Sequence, residues 1–382
     1  MQAMMPGFSG AAIPTGSVRH GLFAARFRLL ARLAAFVMIV APVACSDADP
    51  IVVGVALGVE SRGARLAYED AMRNGLPIEI DTIFLQASDN RAAPAIQAAE
   101  QLVSIPQMVA VIGHSNSAAS MAAAPIYNRH QIVQLAPHST AVLYSEAGPY
   151  SYRMVSPDDR QGQFLATHLT AAGHGRRAAL LYVNDDYGRS LRHELLSALT
   201  PGAIEWVIDA PHAENTDSAS IARTVTVLAE SKPQIIVWIG RGAQLTRIIP
   251  DIRKAVGNVP ILAGDGVASA TRTVETETMW DSVRYVDLVD LEVPELREFR
   301  EHYRTRFGVE PTGPQVLAYD AMAAVLEAIR GGARTGADIR DYFDSFGRSR
   351  PVFPGIAGPV MFDQAGNVDR AYVLRYVPKA RL

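Results

Sequence analysis

Short apolar stretches alternate with amphipathic stretches along most of the chain. The segments Ile51–Leu57, Met108–Ile112 and Ile235–Ile239 are almost entirely apolar, which is typical of strands that are buried on both faces. Between such segments, apolar residues recur at helical spacing, as in Gly63–Asn74 and Ala92–Val103. Repeated strand–helix units of this kind predict a parallel sheet that is covered by helices on both sides.

The same alternation begins again near residue 156. Further strands are predicted at Ala178–Val183, Glu205–Ala210, Ile261–Ala263 and Val283–Val289, and further helices at Gly188–Leu199, Ser220–Ser231, Gln244–Val256 and Gln315–Arg330. The sequence therefore predicts an α/β fold with two doubly wound parallel-sheet lobes and a cleft between them. Because open α/β sheets bind ligands beyond the carboxyl ends of their strands, we expect the functional residues in the loops that follow strands.

The first 44 residues have the composition of an export signal. Four arginines, from Arg19 to Arg32, precede the apolar run Leu33–Val40 and the small residues around Ala44, and no acidic residue occurs among them. This order predicts a signal peptide over residues 1–44, because the apolar run is much shorter than the roughly 20 residues that span a bilayer. Its removal makes the formal net charge of −3 four units more negative.

Cys45, the only cysteine of the chain, follows this segment directly. Its position after Val43-Ala44 resembles a lipobox, in which the cysteine is diacylated and becomes the N-terminal residue, although Pro42 replaces the leucine that is usual there. We expect lipidation at Cys45, with residues 45–50 as a lipid-anchor linker. The alternative is an ordinary signal peptide followed by an incidental cysteine, and a single cysteine excludes an intramolecular disulfide.

Composition and the absence of certain motifs argue against several classes of function. A hydrophobic content of 49% and a charged content of 20% are ordinary for a globular α/β protein, and the slightly negative charge gives no electrostatic basis for nucleic-acid binding. The sequence lacks a Gly-x-Ser-x-Gly elbow, a His-Glu-x-x-His motif and any metal-ligand spacing. We therefore expect no enzyme, cofactor or metal, and interpret His114 and His138 as polar loop residues.

Two loops of the first half carry hydroxyl and amide side chains after predicted strands. Gly113-His-Ser-Asn-Ser117 leads into a helix predicted to start at Ser117, and Ala136-Pro-His-Ser-Thr140 follows the next strand. Helix N-termini offer free N–H groups and a partial positive charge, which bind carboxylates. Asn116 and Ser117 are therefore candidate carboxylate-binding residues, with simple capping of the helix as the alternative role.

The second half places acidic side chains after its strands. In Gly264-Asp265-Gly266 a carboxylate lies between two glycines, where it is approachable and suits an ammonium group, unless it is a plain turn aspartate. Asp185 and Asp186 begin another helix next to Tyr187. One lobe thus offers hydroxyl and N–H donors and the other a carboxylate, which predicts a site for a zwitterion such as an amino acid.

Together these features resemble the type I periplasmic solute-binding family that includes the leucine/isoleucine/valine-binding proteins. The likeness runs from about Ile51 to Val377 and is carried by motifs in one order: Val109–Ala119, Ala123–Tyr127, Gln134–Thr140, Gly148–Arg153, Asp159–Gly162, Asp186–Gly188, Gly264–Gly266, Ala318–Ala321 and Gly358–Asp363. The resemblance implies a monomeric, extracytoplasmic protein that delivers an amino acid to the permease of an ABC importer, held at the membrane by its lipid anchor.

Carried over residue by residue, the resemblance gives each candidate a role. Ser117 and Thr140 match positions that hold the ligand carboxylate, and Ser139 matches one whose main-chain carbonyl accepts from the ammonium group. Asp265 matches the acidic partner of the ammonium group, and Tyr187 an aromatic residue that closes over the ligand from the second lobe.

The resemblance also implies lobes that are discontinuous in sequence. Three hinge crossings are expected near residues 154–157, 287–291 and 367–371. The first lobe would comprise residues 51–155 and 290–368, and the second lobe residues 156–289 and 369–382. Ligand binding is expected to close the two lobes about these crossings.

Two departures from the family pattern leave the ligand open. The connection Gly58–Arg62 is much shorter than the loop that helps to form the side-chain pocket in relatives, so we expect a larger or less enclosed ligand. Arg241 falls where amino-acid binders often have an aromatic residue. An Arg241 side chain that faces the cleft would favour an acidic ligand through bidentate pairing. The alternative is that Arg241 lies in a solvated loop and contacts no ligand. An amide, urea or a small organic acid remain alternatives, as does a periplasmic sensor of the same fold.

Overall fold

The computed structural model describes residues 50–76, 80–86, 91–171, 173, 175–212, 217–270 and 277–377. The predicted signal peptide and Cys45 lie outside these residues. The strands are β1 Ile51–Leu57, β2 Ile80–Gln86, β3 Met108–Gly113, β4 Val133–Ala136, β5 Ser151–Arg153, β6 Arg177–Val183, β7 Glu205–His212, β8 Ile235–Ile239, β9 Ile261–Ala263, β10 Val283–Asp287, β11 Phe353–Gly355, β12 Gly358–Val360 and β13 Val373–Tyr376. The helices are α1 Ser61–Arg73, α2 Ala92–Val103, α3 Ser117–Arg129, α4 Asp158–Ala171, α5 Asp186–Ala198, α6 Ser218–Ser231, α7 Gly242–Val256, α8 Arg297–Phe307, α9 Gly313–Arg330 and α10 Gly336–Asp344.

Two separate sheets define two lobes. The first sheet has the strand order β2-β1-β3-β4-β5, and all its neighbouring strands are parallel. The second has the order β13-β10-β9-β8-β6-β7, in which only the edge strand β13 runs antiparallel to its neighbour. The predicted α/β fold with two lobes is therefore confirmed.

The apolar run of β1 shows why each sheet is covered on both sides. Val53 and Val55 pack into the core that also contains α1 and α9, whereas Val52 and Ala56 pack into the core formed with α2 and α3. All seven residues of β1 are buried. Alternate side chains of a strand point to opposite faces, so an unbroken apolar strand needs helices on both.

The chain passes between the two sheets three times: after β5, after β10 and before β13. The first and third crossings are hydrogen-bonded to each other. The Arg370 N–H donates to Ser156 Oγ at 2.7 Å, and the buried Arg370 guanidinium donates to the carbonyls of Met154 (2.6 Å) and Ala357 (2.7 Å). Its Nη2 atom lies 3.7 Å from Asp320 Oδ2. One arginine thus joins two crossings to the first lobe.

Several elements were not predicted from the sequence: β5, α4, α10 and β11. A β segment was predicted at Val360–Phe362, where the structure has β12 two residues earlier. Helix α4 has Gly162 in its interior, where a Cβ would lie 2.6 Å from the carbonyl carbon of Glu194 in α5. The glycine here allows two helices to pack closely and does not end the helix. Among the described helices, none combines the length and the apolar character that crossing a bilayer requires.

We predict that Arg370→Met lowers the free energy of unfolding by about 2–4 kcal/mol, because the carbonyls of Met154 and Ala357 lose their donor and the buried Asp320 carboxylate loses the positive charge 3.7 Å away. Urea unfolding of the purified variant, followed by circular dichroism, measures this change.

The matched control is Arg160→Met. Arg160 is an exposed residue whose guanidinium lies 4.0 Å from Asp369 near the same crossing, so its loss should change stability by less than about 1 kcal/mol. Equal effects of the two substitutions would show that the buried arginine does not stabilise the crossings.

Candidate functional site

A polar cavity of about 150 Å³ lies between the two lobes. Each lobe supplies half of its lining. The first contributes Glu60, Ser115, Asn116, Ser117, His138 and Pro314, and the second contributes Tyr187, Arg241, Ala243, Asp265, Gly266 and Ser269. Most of these residues follow the carboxyl ends of β1, β3, β4, β6, β8 and β9, the edge at which open α/β sheets bind ligands.

The N-terminus of α3 forms the first-lobe wall of the cavity. Asn116 caps this helix, since its Oδ1 atom accepts the N–H of Ala119 at 2.9 Å. Ser117 Oγ accepts the N–H of Ala141 at 3.1 Å, so its own hydroxyl hydrogen can be donated to a ligand. Asn116 thus has the structural role that the sequence offered as an alternative, and Ser117 is the residue here with a free donor.

Ser139 and Thr140 lie beneath the wall and are absent from the described cavity lining. The hydroxyl of Ser139 is 2.8 Å from Ser120 Oγ, and its carbonyl accepts from Arg153 Nη1 at 3.1 Å. Thr140 Oγ1 is buried and has no hydrogen-bond partner among the described residues. In this conformation the structure does not bring the Ser139 side chain into the cavity, whereas Thr140 keeps an unused hydroxyl close behind it.

Asp265 forms part of the second-lobe wall of the cavity. Its N–H donates to Gln161 Oε1 at 3.0 Å, but neither of its carboxylate oxygens has a hydrogen-bond partner among the described residues. The side chain is 1% exposed. Across the cleft, His138 Nε2 lies 3.5 Å from Asp265 Oδ2, so the two lobes meet at this acid.

Tyr187 and Arg241 form the rest of the second-lobe wall. The Tyr187 hydroxyl accepts the N–H of Gly266 at 3.1 Å, which fixes the ring beside Asp265. The Arg241 guanidinium lies 5.0 Å from the centre of that ring and donates to Asp185 Oδ2 at 2.5 Å. Its side chain is only 15% exposed. Arg241 therefore lies in the wall of the cleft, where Asp185 holds its guanidinium, and its part in ligand binding stays a prediction.

The sequence interpretation missed several lining residues. Glu60 lies in the short connection after β1, and its Oε2 accepts from Ser115 Oγ at 3.2 Å. The short loop therefore places a carboxylate in the cavity. His138 was expected in a cleft loop, as a polar residue without a catalytic role, and it lines the cavity. Pro314 and Ser269 carry no signal in the sequence that would have marked them.

The other histidine after a strand belongs to the lobe interior. His114 Nε2 is 3.2 Å from the hydroxyl of Tyr127, and burial lowers the pKa of the His114 imidazole to about 4. This ring is thus neutral at physiological pH and supports the first lobe. Within the described part of the chain, no three histidine, aspartate or glutamate side chains are grouped as metal ligands.

Two α/β lobes, three crossings and a polar cavity at the facing strand ends define a cleft-type binding protein for small molecules. A family model described as periplasmic binding protein matches residues 56–381. The chain belongs to this family, in the type I branch that includes the Leu/Ile/Val-binding proteins. The resemblance noted in the sequence is thus confirmed, and the relatives are solute-binding proteins, not enzymes.

Individual relatives are distant. An "Amino acid binding protein" of Pseudomonas aeruginosa is 24% identical over 319 residues, which cover 80% of this chain and 82% of that protein. The isoleucine complex of LivJ from Streptococcus pneumoniae has a TM-score of 0.76 at 20% identity, covering 86% of this chain and 96% of LivJ. A solute-binding protein of R. palustris in complex with benzoate has a TM-score of 0.74 at 18% identity, with 86% and 93% covered.

The tight packing around Asp265 generates a prediction for Gly264. A Cβ at this position would lie 2.6 Å from the Tyr187 hydroxyl and 3.1 Å from Gln161 Oε1, the two groups that accept the N–H bonds of Gly266 and Asp265. We expect Gly264→Ala to lower the free energy of unfolding by about 1–3 kcal/mol through this overpacking, measured by urea unfolding.

Gly58→Ala is the comparison, because a Cβ there meets only the flexible Glu60 carboxylate at 3.2 Å and Ser115 Oγ at 3.9 Å. Gly58→Ala should therefore lower the free energy of unfolding by clearly less than Gly264→Ala does. An equal or smaller cost for Gly264→Ala would mean that Tyr187 and Gln161 are not fixed as described.

Proposed function

We propose that this protein is the extracytoplasmic solute-binding component of an ABC importer, and that it captures a small zwitterion, an α-amino acid, between its lobes. The observation that carries the proposal is the buried Asp265 carboxylate, whose oxygens lack a hydrogen-bond partner among the described residues, across the cleft from the Ser117 hydroxyl at the N-terminus of α3. A buried carboxylate that accepts no hydrogen bond is costly, and an ammonium group would supply the donors that His138, whose Nε2 lies 3.5 Å from Asp265 Oδ2 but makes no hydrogen bond to it, does not.

The first lobe supports binding of the ligand carboxylate. Ser117 offers a hydroxyl hydrogen at the N-terminus of α3, a helix of 13 residues, whose partial positive charge favours an anion. The hydroxyl of Thr140 lies buried behind this wall, and a small movement on closure would add it. Ser139 contributes by fixing the loop through its bond to Ser120, and its carbonyl remains a candidate second acceptor for the ammonium group.

The second lobe supports binding of the ammonium group and closure. Asp265 supplies the charge, while Tyr187 covers the site and orients the Asp265–Gly266 turn through its hydroxyl. The lobes already touch outside the cavity, where the N–H of Val142 donates to Ser190 Oγ at 3.1 Å. Closing about the three crossings would exclude water, and exclusion of water strengthens the charged contacts.

The leader and Cys45 support export and lipid anchoring outside the cytoplasmic membrane, where the closed monomer would meet an ABC permease. A periplasmic sensor would use the same cleft but signal to a different membrane partner.

A binder of aromatic or other amine-free acids is the second candidate, since the R. palustris relative is complexed with benzoate. Such a ligand would satisfy Ser117 and leave Asp265 without a cation. The amino-acid proposal accounts for both walls of the cavity and is therefore preferred.

The proposal is tested by a thermal-shift screen with the 20 L-amino acids, simple amines, benzoate, dicarboxylates, amides and urea, since binding to the folded state raises the Tm. We expect the largest shift from one class of amino acids. For the best amino acid, Asp265→Asn should then weaken binding by at least about 30-fold, because the ammonium group loses its charged partner. Isothermal titration calorimetry measures the Kd.

Asp251→Asn is the control, since Asp251 is an exposed acid on α7 of the same lobe and should leave the Kd unchanged. A shift with benzoate or amides alone, or an unchanged Kd in Asp265→Asn, would remove the zwitterion site from the proposal.

Arg241 allows a separate prediction about the ligand side chain. Its Nη2 is committed to Asp185, but Nη1 is buried without a hydrogen-bond partner among the described residues, so one face of the guanidinium is left for an acidic group. If amino acids bind, Arg241→Met should weaken aspartate and glutamate about tenfold more than neutral amino acids, with titration calorimetry as the measurement.

Arg247→Met, at an exposed position of α7, should affect neither class. Equal losses for acidic and neutral amino acids in Arg241→Met would instead assign Arg241 to the structure of the wall alone.

A further inference from the structure

A group of buried polar side chains lies behind the cavity, where α4 begins. Asp158 is the first residue of α4, and its N–H donates to the carbonyl of Thr140 at 2.8 Å. One turn later, Gln161 Oε1 accepts the N–H of Asp265. Neither oxygen of Asp158, nor Gln161 Nε2, nor Thr140 Oγ1 has a hydrogen-bond partner among the described residues. The Gln161–Asp265 hydrogen bond places this group next to the Asp265 loop, and the two carboxylate oxygens of Asp265 also lack a hydrogen-bond partner among the described residues.

Unsatisfied polar atoms are rare in folded proteins and call for an explanation. Here four of the atoms are carboxylate oxygens of two acids, Asp158 and Asp265, which are 0% and 1% exposed. Burial and a nearby negative charge both favour the protonated form of a carboxyl group such as Asp158. A cation beside Asp158 would favour its ionised form instead.

The groups around Asp158 do not supply this cation. Burial, and then the charge of Asp265, raise the pKa of Asp158 to about 8, against the opposing effect of Arg153 on β5. The Arg153 guanidinium is committed elsewhere, to Asn367 Oδ1 at 2.5 Å and to the carbonyls of Ser139 and Ala141.

The other groups around Asp158 are neutral, or they face Asp265 and not Asp158. The phenols of Tyr187 on α5 and of the partly buried Tyr372 before β13 lie near the two acids. Loss of water around these phenols and the nearby negative charges raise their pKa well above the usual range. The hydroxyls of Thr140 and Ser190 lie near Asp158 and favour its charged form, but neither reaches hydrogen-bonding geometry with its carboxylate. His138 is the remaining cationic candidate, and it faces Asp265.

We propose that Asp158 is the second carboxylate of the ammonium site: in the ligand-free cleft Asp158 keeps its proton, and the ammonium group of the bound ligand takes the place of that proton. This inference rests on the proposed function, which supplies the ammonium group. On binding, the O–H bond of Asp158 breaks, its proton leaves to solvent, and the ammonium N–H groups donate to the carboxylates of Asp158 and Asp265. The ligand class is therefore a compound with a primary ammonium group.

Proton exchange gives the affinity a defined pH dependence. Below about pH 8 Asp158 carries its proton and the bound ammonium group must displace it, so the Kd should fall by up to about tenfold per pH unit as the pH rises from about 6 to about 8, and then level off. A site with one acid that is already ionised would show no such slope in this range.

The test is titration calorimetry near pH 6.5 in two buffers of different ionisation enthalpy, with the L-amino acid that gives the largest thermal shift as the titrant. The difference between the two enthalpies counts the protons exchanged. We expect the release of about one proton from the unmodified protein and of almost none from Asp158→Asn. Asp159→Asn, which changes the next residue of α4, should release the same number as the unmodified protein. Measurable binding without proton release from the unmodified protein would overturn the inference.

A second measurement needs no ligand. A carboxyl group whose pKa is raised by folding stabilises the protein only below its unfolded pKa of about 4, and that stability is lost as the pH rises towards about 8. Asp158→Asn should therefore raise the Tm of the ligand-free protein by an amount that grows between about pH 5 and about pH 8, with Asp159→Asn as control. A difference in Tm that does not change with pH would overturn the inference that Asp158 is protonated in the ligand-free cleft. Failure of every amino acid in the thermal-shift screen would instead overturn the proposed function.

Discussion

The cavity depends on the hydrogen bonds that join the crossings to the binding loops. Arg153, at the end of β5, donates from Nε to Asn367 in the third crossing and from Nη1 to the carbonyls of Ser139 and Ala141 in the loop after β4. The same loop is bonded to Ser117 through the N–H of Ala141. A single buried guanidinium therefore ties the hinge to the wall that would hold a carboxylate, so that hinge position and wall geometry are not independent.

The two walls differ in how their polar groups are satisfied. In the first lobe, most polar atoms are paired within the lobe, as with Asn116 at the start of α3 and Ser139 on Ser120, which leaves a rigid wall with one free hydroxyl. In the second lobe, Asp158 and Asp265 keep unsatisfied carboxylates although both are buried. Donors that are already fixed in position need no rearrangement when an anion binds. Buried carboxylates without a cation, in contrast, raise the free energy of the closed cleft.

The sequence predicted the architecture because burial of both sheet faces leaves a plain signal. The apolar runs of β1, β3 and β8 were recognised, and the loops after them contain most of the cavity. The failures have a physical origin too. Helix α4 was missed because Gly162, which would disfavour an isolated helix, is required by the close approach of α5. No local pattern reports a contact with a helix that lies about 30 residues further along the chain.

The roles of individual site residues were also hard to predict, because their surroundings come from distant parts of the sequence. Arg241 was placed correctly after a strand, but its environment depends on Asp185, 56 positions away in sequence, and that pairing decides how much charge is left for a ligand. Ser139 matched a family position, yet its hydroxyl is bonded to Ser120 because α3 and the β4 loop pack together. Asp158 carried no signal, since its importance comes from a neighbour on another loop. Sequence position predicts which loop a residue occupies, and tertiary packing decides what its side chain can bind.

These considerations connect ligand charge to lobe closure. Asp158 and Asp265 both belong to the second lobe, while Thr140 and His138, which approach them, belong to the first. Closing the lobes therefore removes water from two acids at once, and the cost of that step depends on what replaces the water. A ligand can shift the balance between open and closed forms only by its difference in affinity for the two. If the proposed ammonium group binds beside these two desolvated carboxylates, it would gain most of its interaction in the closed form, and closure would then be selective for a cation.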